Sequence, residues 1–235
     1  MKRIAIIQSN YLPWRGYFDM IAYVDEFIIY DDMQFTKNDW RNRNKIKTPQ
    51  GEKWISIPVG QNINRRIRDV ELTDTSWQRK HWQSMELNYR RAPFFPDIAA
   101  LLKPVYIDQK HLTLSSLNRK LIEVVCSYLE IRTIISNSWD YTLTNGKTER
   151  LIDLCTQTGA TEYVSGPAAK DYLDQKAFAE NNIQLTWFDY TGYPEYPQLW
   201  GDYTPSVSII DLLFNCGKRA AFYMKFAPRN LANLK

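Results

Sequence analysis

The run Arg3-Ile4-Ala5-Ile6-Ile7 is continuously apolar and gives way at once to Gln8, Ser9, Asn10, Tyr11, Leu12, Pro13, Trp14, Arg15 and Gly16. An uninterrupted, β-branched run predicts a strand buried on both faces, and therefore a parallel sheet covered by helices. The amides, the proline and the glycine predict a turn, and Phe18, Ile21, Ala22 and Val24 mark the apolar stripe of a helix beginning near Arg15 or Gly16. Open α/β sheets bind their ligands where a strand hands over to a helix in this way. The groups presented there are Gln8, Asn10, Tyr11, Trp14, Arg15 and Tyr17, which hydrogen-bond and stack. The competing reading of so many amphipathic side chains is a structural plug.

The same alternation continues along the chain. Residues 26–30 read as a second buried strand ending in Asp31 and Asp32, and residues 45–59 as a hairpin turning at Pro49-Gln50-Gly51. A short strand is expected at Val70-Glu71-Leu72, and helices over about 76–91, 96–102 and 113–130. Short strands near 133–136, 162–166 and 184–188 then alternate with helices over 148–158, 178–182 and 208–215. This pattern predicts a single α/β domain over residues 1–235, with a mainly parallel, Rossmann-like sheet flanked by helices. It carries an excursion over 37–75, within which residues 44–72 form a basic β-hairpin unit, and a helical insert over 76–131.

Charge is unevenly spread. From Lys37 to Arg68 nine basic residues face only Asp39 and Glu52, a local charge of +7 in a chain whose formal total is +4. Such a stretch beside a crevice suits an anionic partner such as a nucleotide, a sugar diphosphate or RNA phosphate, and a solvated basic loop is the alternative. No run approaches the length of a membrane span, and the apolar start is broken by Gln8 and Asn10, so the expected location is the cytosol, without membrane insertion. Cys126, Cys155 and Cys216 are odd in number and set among apolar neighbours, which predicts buried thiols. With only His81 and His111 present, a histidine-rich metal centre is not expected.

Candidates for chemistry are few. Asp31 and Asp32 are adjacent, so along a strand they point to opposite faces and one of them can look into the crevice, as a proton acceptor or as a ligand for Mg²⁺ held with phosphates. A capping or salt-bridge role is the alternative. In Trp40-Arg41-Asn42-Arg43-Asn44, extended backbone would put Arg41, Arg43 and Lys45 on one face as a diphosphate clamp; a protected basic edge is the other reading. His81, between Trp77, Trp82 and Met85, is either a structural residue or the best general base in the chain. Ser165-Gly166 offers a small polar pair at a strand end, without the surroundings of a nucleophile elbow.

The blocks Gln8 to Phe18, Tyr30 to Phe35, Trp40 to Asn44, Lys47 to Gly51, Tyr163 to Gly166 and Ser208 to Asn215 resemble the WbqC-like family. The likeness runs from the first strand to about Gly217, and Ser9 stands where the family pattern has proline. A weaker likeness, to the opening of HIGH-type nucleotidylyltransferases, concerns topology only, since Trp14 and Tyr17 stand at the spacing of the two histidines. The WbqC-like resemblance implies a place in bacterial surface-polysaccharide biosynthesis. With no phosphate-binding or dinucleotide fingerprint in the chain, it implies an enzyme that moves an acyl or aminoacyl group from an activated donor to the nitrogen of a nucleotide-linked amino sugar. On that expectation the basic stretch holds the diphosphate, Tyr11, Trp14, Tyr17 and Trp40 stack on base or sugar, and Asp32 or His81 takes the proton. A non-catalytic binder of a nucleotide sugar or RNA, and an ATP-dependent amide ligase, are the alternatives.

Overall fold

A computed structural model describes residues 1–230. Its centre is a five-stranded sheet of β1 (Arg3–Ile7), β2 (Glu26–Ile29), β5 (Ile134–Asn137), β6 (Glu162–Ser165) and β7 (Gln184–Trp187), all parallel and ordered β5-β2-β1-β6-β7. The expected mainly parallel, helix-flanked α/β fold is therefore present. Strand order reverses at β1, whose neighbours are β2 on one side and β6 on the other. The carboxyl ends of β1 and β6 form the switch point, where successive connections leave on opposite faces and open a crevice.

Those connections follow from the strand pattern. Ala5, Ile29 and Val164 face a large core shared with α1 (Arg15–Tyr23), α2 (Ser76–Tyr89), α3 (Phe95–Ile107), α4 (Leu114–Tyr128) and α7 (Ile209–Cys216). Ile4, Ile6 and Ile28 face a smaller core with α5 (Thr148–Thr158) and α6 (Gln175–Glu180). Burial on both faces accounts for the absence of polar alternation in these strands. α4 starts at a capping box in which Thr113 accepts the Ser116 N–H and Ser116 reaches back, and α5 stops at Gly159, whose φ of 67° suits a residue without Cβ.

The long connection from β2 to β5 carries the antiparallel pair β3 (Arg43–Thr48) and β4 (Gly51–Ser56), in which Lys45 faces Trp54 across the strands. Two expectations are corrected here. No strand forms over residues 70–72: a short 3-10 turn at Ile67–Asp69 is followed by an isolated bridge between Glu71 and Thr113, flanked by the Leu72 N–H donating to the Leu112 carbonyl and the Leu114 N–H donating to the Val70 carbonyl. α3 runs past the expected end at Leu102 to Ile107 with Pro104 inside it, since burial of Val105 and Tyr106 outweighs one lost backbone bond.

Candidate functional site

A cleft of about 270 Å³ opens at the carboxyl end of β1, lined by Asn10, Pro13, Trp14, Trp40, Asn44 and Ser206. The turn that builds it is tightly fixed. Leu12 adopts a left-handed conformation (φ 45°), which a bulky side chain rarely takes, and the carbonyls of Tyr11 and Leu12 accept bonds of 3.1 and 2.7 Å from the Asn44 amide. The Tyr11 N–H donates to the Trp40 carbonyl at 2.9 Å, tying the basic stretch to the turn. Trp14 stands at the N-cap position of α1, and its ring packs against those of Tyr190 and Tyr193. Its indole covers Gly16, where a Cβ would come within 2.3 Å of Trp14 Cζ2, so this wall requires glycine. Trp40, 43% exposed, forms the facing wall.

Behind Asn10 stands Arg41. Its guanidinium donates to Asn10 Oδ1 and to Gln8 Oε1, the latter at 3.3 Å, and its side chain is only 16% exposed. Its ion-pair contact with Asp39 is 3.9 Å long, so two neutral amides hold most of a nearly buried cation. A guanidinium desolvated in this way, with Asp39 and Asp31 as its neighbouring carboxylates, has the chemistry to pair with a phosphate or carboxylate. Tyr17 supports Gln8 from beneath, donating to its carbonyl at 3.1 Å. Ser165 is buried at the end of neighbouring β6, and Gly166 begins the short 3-10 turn Pro167–Asp171 beside Tyr190.

Asp31 lies under this loop rather than in the cleft. Fully buried, it accepts the Ser9 N–H at 2.8 Å, the Ser9 hydroxyl at 2.7 Å and the Ser115 hydroxyl at 2.5 Å. Asn118 completes the network by donating to Ser9 Oγ and to the Arg41 carbonyl. Burial, the largest effect, raises the Asp31 carboxyl above its usual range against the bonds from Ser115 and Ser9. Thus Ser9 links the turn to α4.

Several of the expected ligand contacts are engaged within the fold. Asp32 follows Tyr30 to the opposite side and is enclosed by Ser138 (2.6 Å), Arg68 (3.0 Å) and Arg66 (3.5 Å). Tyr11 is fully buried, its hydroxyl shared between His81 Nδ1 and Tyr106. His81 spends its other nitrogen on the Ser56 carbonyl, and burial lowers its pKa from 6.5 to about 4, so it stays neutral inside the core. Arg15 points away from the cleft and binds the carbonyls of Pro194 and Tyr223 and the Tyr203 hydroxyl. Arg41, Arg43 and Lys45 do not share one face: Arg41 turns into the switch point, while Arg43 and Lys45 lie over Trp54, at 4.3 and 5.3 Å from its ring centre. Asn42 continues the hairpin pairing through the Ile57 carbonyl. The three cysteines are buried and unpaired, and burial pushes each thiol up to about 12.

Pro13, Asn44 and Ser206 complete the cleft without having been singled out as ligand contacts. Ser206 comes from an irregular segment between β7 and α7 in which Tyr190, Tyr193, Tyr196 and Tyr203 recur, the only trace of that wall in the sequence. Among the described residues, no group of three or more His, Cys, Asp or Glu is placed to hold a metal ion, and no helix is long and apolar enough to cross a membrane.

No solved structure matches the chain. It is 56% identical over 228 residues to the uncharacterized protein Rv1507c of Mycobacterium tuberculosis (strain ATCC 25618 / H37Rv), an alignment covering 96% of this chain and 99% of that protein. The pattern of the WbqC-like protein family matches residues 8–223, which includes the β1 turn, Arg41, the hairpin and the Ser206 wall. The chain belongs to the WbqC-like protein family.

Proposed function

We propose that the chain binds a nucleotide-linked amino sugar in the Trp14–Trp40 cleft and serves bacterial surface-glycan biosynthesis by acylating or aminoacylating the sugar nitrogen. The observation carrying the binding part is the nearly buried Arg41 guanidinium, held by the Gln8 and Asn10 amides beside two indole walls at the switch point. Indole faces stack on sugar or base, amides read hydroxyls, and the guanidinium meets the diphosphate. In the transfer, the amine nitrogen attacks the activated acyl carbon, an amide bond forms, the bond to the donor's leaving group breaks, and a proton leaves the nitrogen. Asp32 stands on the opposite side from Asp31, bonded to Arg68 and Ser138, so accepting that proton requires those bonds to open and the carboxylate to reach round the strand end to the cleft.

That requirement favours a second reading, a non-catalytic nucleotide-sugar binder, since Asp31, Asp32 and His81 are all engaged within the fold. Thermal shift across nucleoside-diphosphate sugars tests the binding part. A ligand at about 100 times its dissociation constant adds roughly 2.7 kcal/mol, and Arg41→Ala removes the shift while leaving the protein folded. Mass spectrometry of a nucleotide-linked amino sugar incubated with acyl and aminoacyl donors tests the transfer. In Asp32→Asn, turnover falls by about 10²-fold or more if Asp32 is the base, and holds per folded molecule if it is only a salt-bridge partner. Product from no donor with the unmodified chain favours the binder.

A further inference from the structure

Beyond the cleft, Trp40 packs at a tilt against a second exposed indole. The ring centres of Trp40 and Trp54 are 5.3 Å apart with planes inclined by 36°, and Trp54 is 41% exposed. Exposed indoles side by side are uncommon on a surface that binds nothing, because each leaves a large apolar face in water. Here the pair also carries cations, with Arg43 at 4.3 Å and Lys45 at 5.3 Å from the Trp54 ring centre. Arg43 is fixed by Asn38, and its Nε is buried without a partner. Since one ring of the pair is also a wall of the cleft, cleft and platform form a continuous surface.

We infer that Trp54, with Trp40, Arg43 and Lys45, is the nucleobase subsite, so that the sugar occupies the Trp14–Trp40 cleft and the base stacks outward on the hairpin. This rests on the nucleotide-sugar reading above and adds polarity to it. A cleft of about 270 Å³ with amides and a hydroxyl on its lining suits a single sugar ring, whereas Trp54, 41% exposed with Arg43 and Lys45 over its ring, offers a base a stacking partner once those cations shift from the ring to the phosphates. The diphosphate joining them then passes between Arg41 and Arg43. Stacking tolerates different bases, so the platform favours affinity over choice of base.

Titration calorimetry of the full chain with UDP, dTDP, GDP and inorganic pyrophosphate, alongside UDP-N-acetylglucosamine, tests this. Trp54→Ala weakens binding of the nucleoside diphosphates by about ten-fold or more, leaves pyrophosphate binding unchanged, and Trp54→Phe restores most of the loss. Circular dichroism and melting of both variants report folding, which an exposed hairpin position leaves intact. Equal nucleotide affinity in unmodified chain and Trp54→Ala overturns the subsite while the nucleotide-sugar reading stands. Failure of the unmodified chain to bind any nucleotide or nucleotide sugar overturns both. Trp54-dependent binding of a uridine ten-mer RNA, with no binding of free nucleotides, overturns the proposal in favour of a single-stranded nucleic-acid surface.

Discussion

Arg41 carries its charge into a nearly closed position where carbonyl-type oxygens of Gln8 and Asn10 supply most of its bonds. A lysine there keeps the charge but not the planar fork, so Arg41→Lys is expected to lose ligand-induced stabilisation almost as fully as Arg41→Ala, read by thermal shift. His81 behaves differently, because its pKa near 4 lies below the unfolded value of 6.5. The unfolded chain takes up the proton first as pH falls, so the neutral histidine contributes stability fully present above pH 6.5 and lost as pH falls toward 4. The window amounts to about 3 kcal/mol at most. His81→Gln is expected to flatten that part of the stability curve in denaturant titrations, and to leave ligand binding intact. Asp31 has the opposite sign among carboxyls. With its folded pKa raised, its contribution is complete below the usual carboxylate range and declines as pH rises through the folded value. Asp31→Asn, which keeps an acceptor for Ser9, is therefore expected to compare better with the unmodified chain at pH 8 than at pH 4, and melting at the two pH values checks it. A flat difference across that range would place the ionised carboxylate at no cost.

At the scale of elements, α1 depends on a contact that sequence periodicity does not describe. Trp14 lies over Gly16 and packs against Tyr190 and Tyr193, so a methyl group at residue 16 must push the indole out of its place. Gly16→Ala is expected to destabilise by about 1–3 kcal/mol despite its better helix propensity, and to abolish binding by displacing the cleft wall; melting and near-UV circular dichroism read both effects. The helices over 76–89, 114–128 and 148–158 were legible because an apolar stripe, a Thr113 cap or a Gly159 stop is written locally. The β1 turn was legible as a turn for the same reason. What local pattern cannot tell is which polar side chain a tertiary partner captures. Tyr11, Arg15 and Tyr17 look alike as amphipathic turn residues, yet His81, Pro194 and the Gln8 carbonyl claim their polar ends from distant or folded-back segments. Asp31 and Asp32 divide between faces as strand geometry requires, but their enclosure by Ser115 and by Ser138 with two arginines arises from the long β2–β5 connection and the turn that follows β5.

Over the whole molecule, the irregular segment between β7 and α7 is drawn across the cleft side by buried polar anchors. Arg15 binds Pro194, Tyr203 and Tyr223, while Lys47 reaches Gln198 and the Asp202 carbonyl. Asp19, fully buried, accepts the N–H groups of Lys225, Phe226 and Ala227. Arg15→Lys loses the fork that joins three segments and is expected to cost about 2 kcal/mol, lowering the melting temperature by roughly 4–8 °C and exposing the segment over 189–207 to proteolysis. This long-range strap is why Ser206 was not legible as part of the site, and why the cleft exists only in the folded chain. In the function proposed above, this cleft, with Arg41 behind it, holds a nucleotide-linked sugar. The most direct test of that reading is a crystal structure of the chain with the nucleotide sugar that gives the largest thermal shift. The account predicts the sugar ring between Trp14 and Trp40, with a phosphate oxygen within hydrogen-bond reach of the Arg41 guanidinium. A nucleotide sugar bound instead against Asp32, Arg66 and Arg68, with the Trp14–Trp40 cleft holding only water, would contradict it.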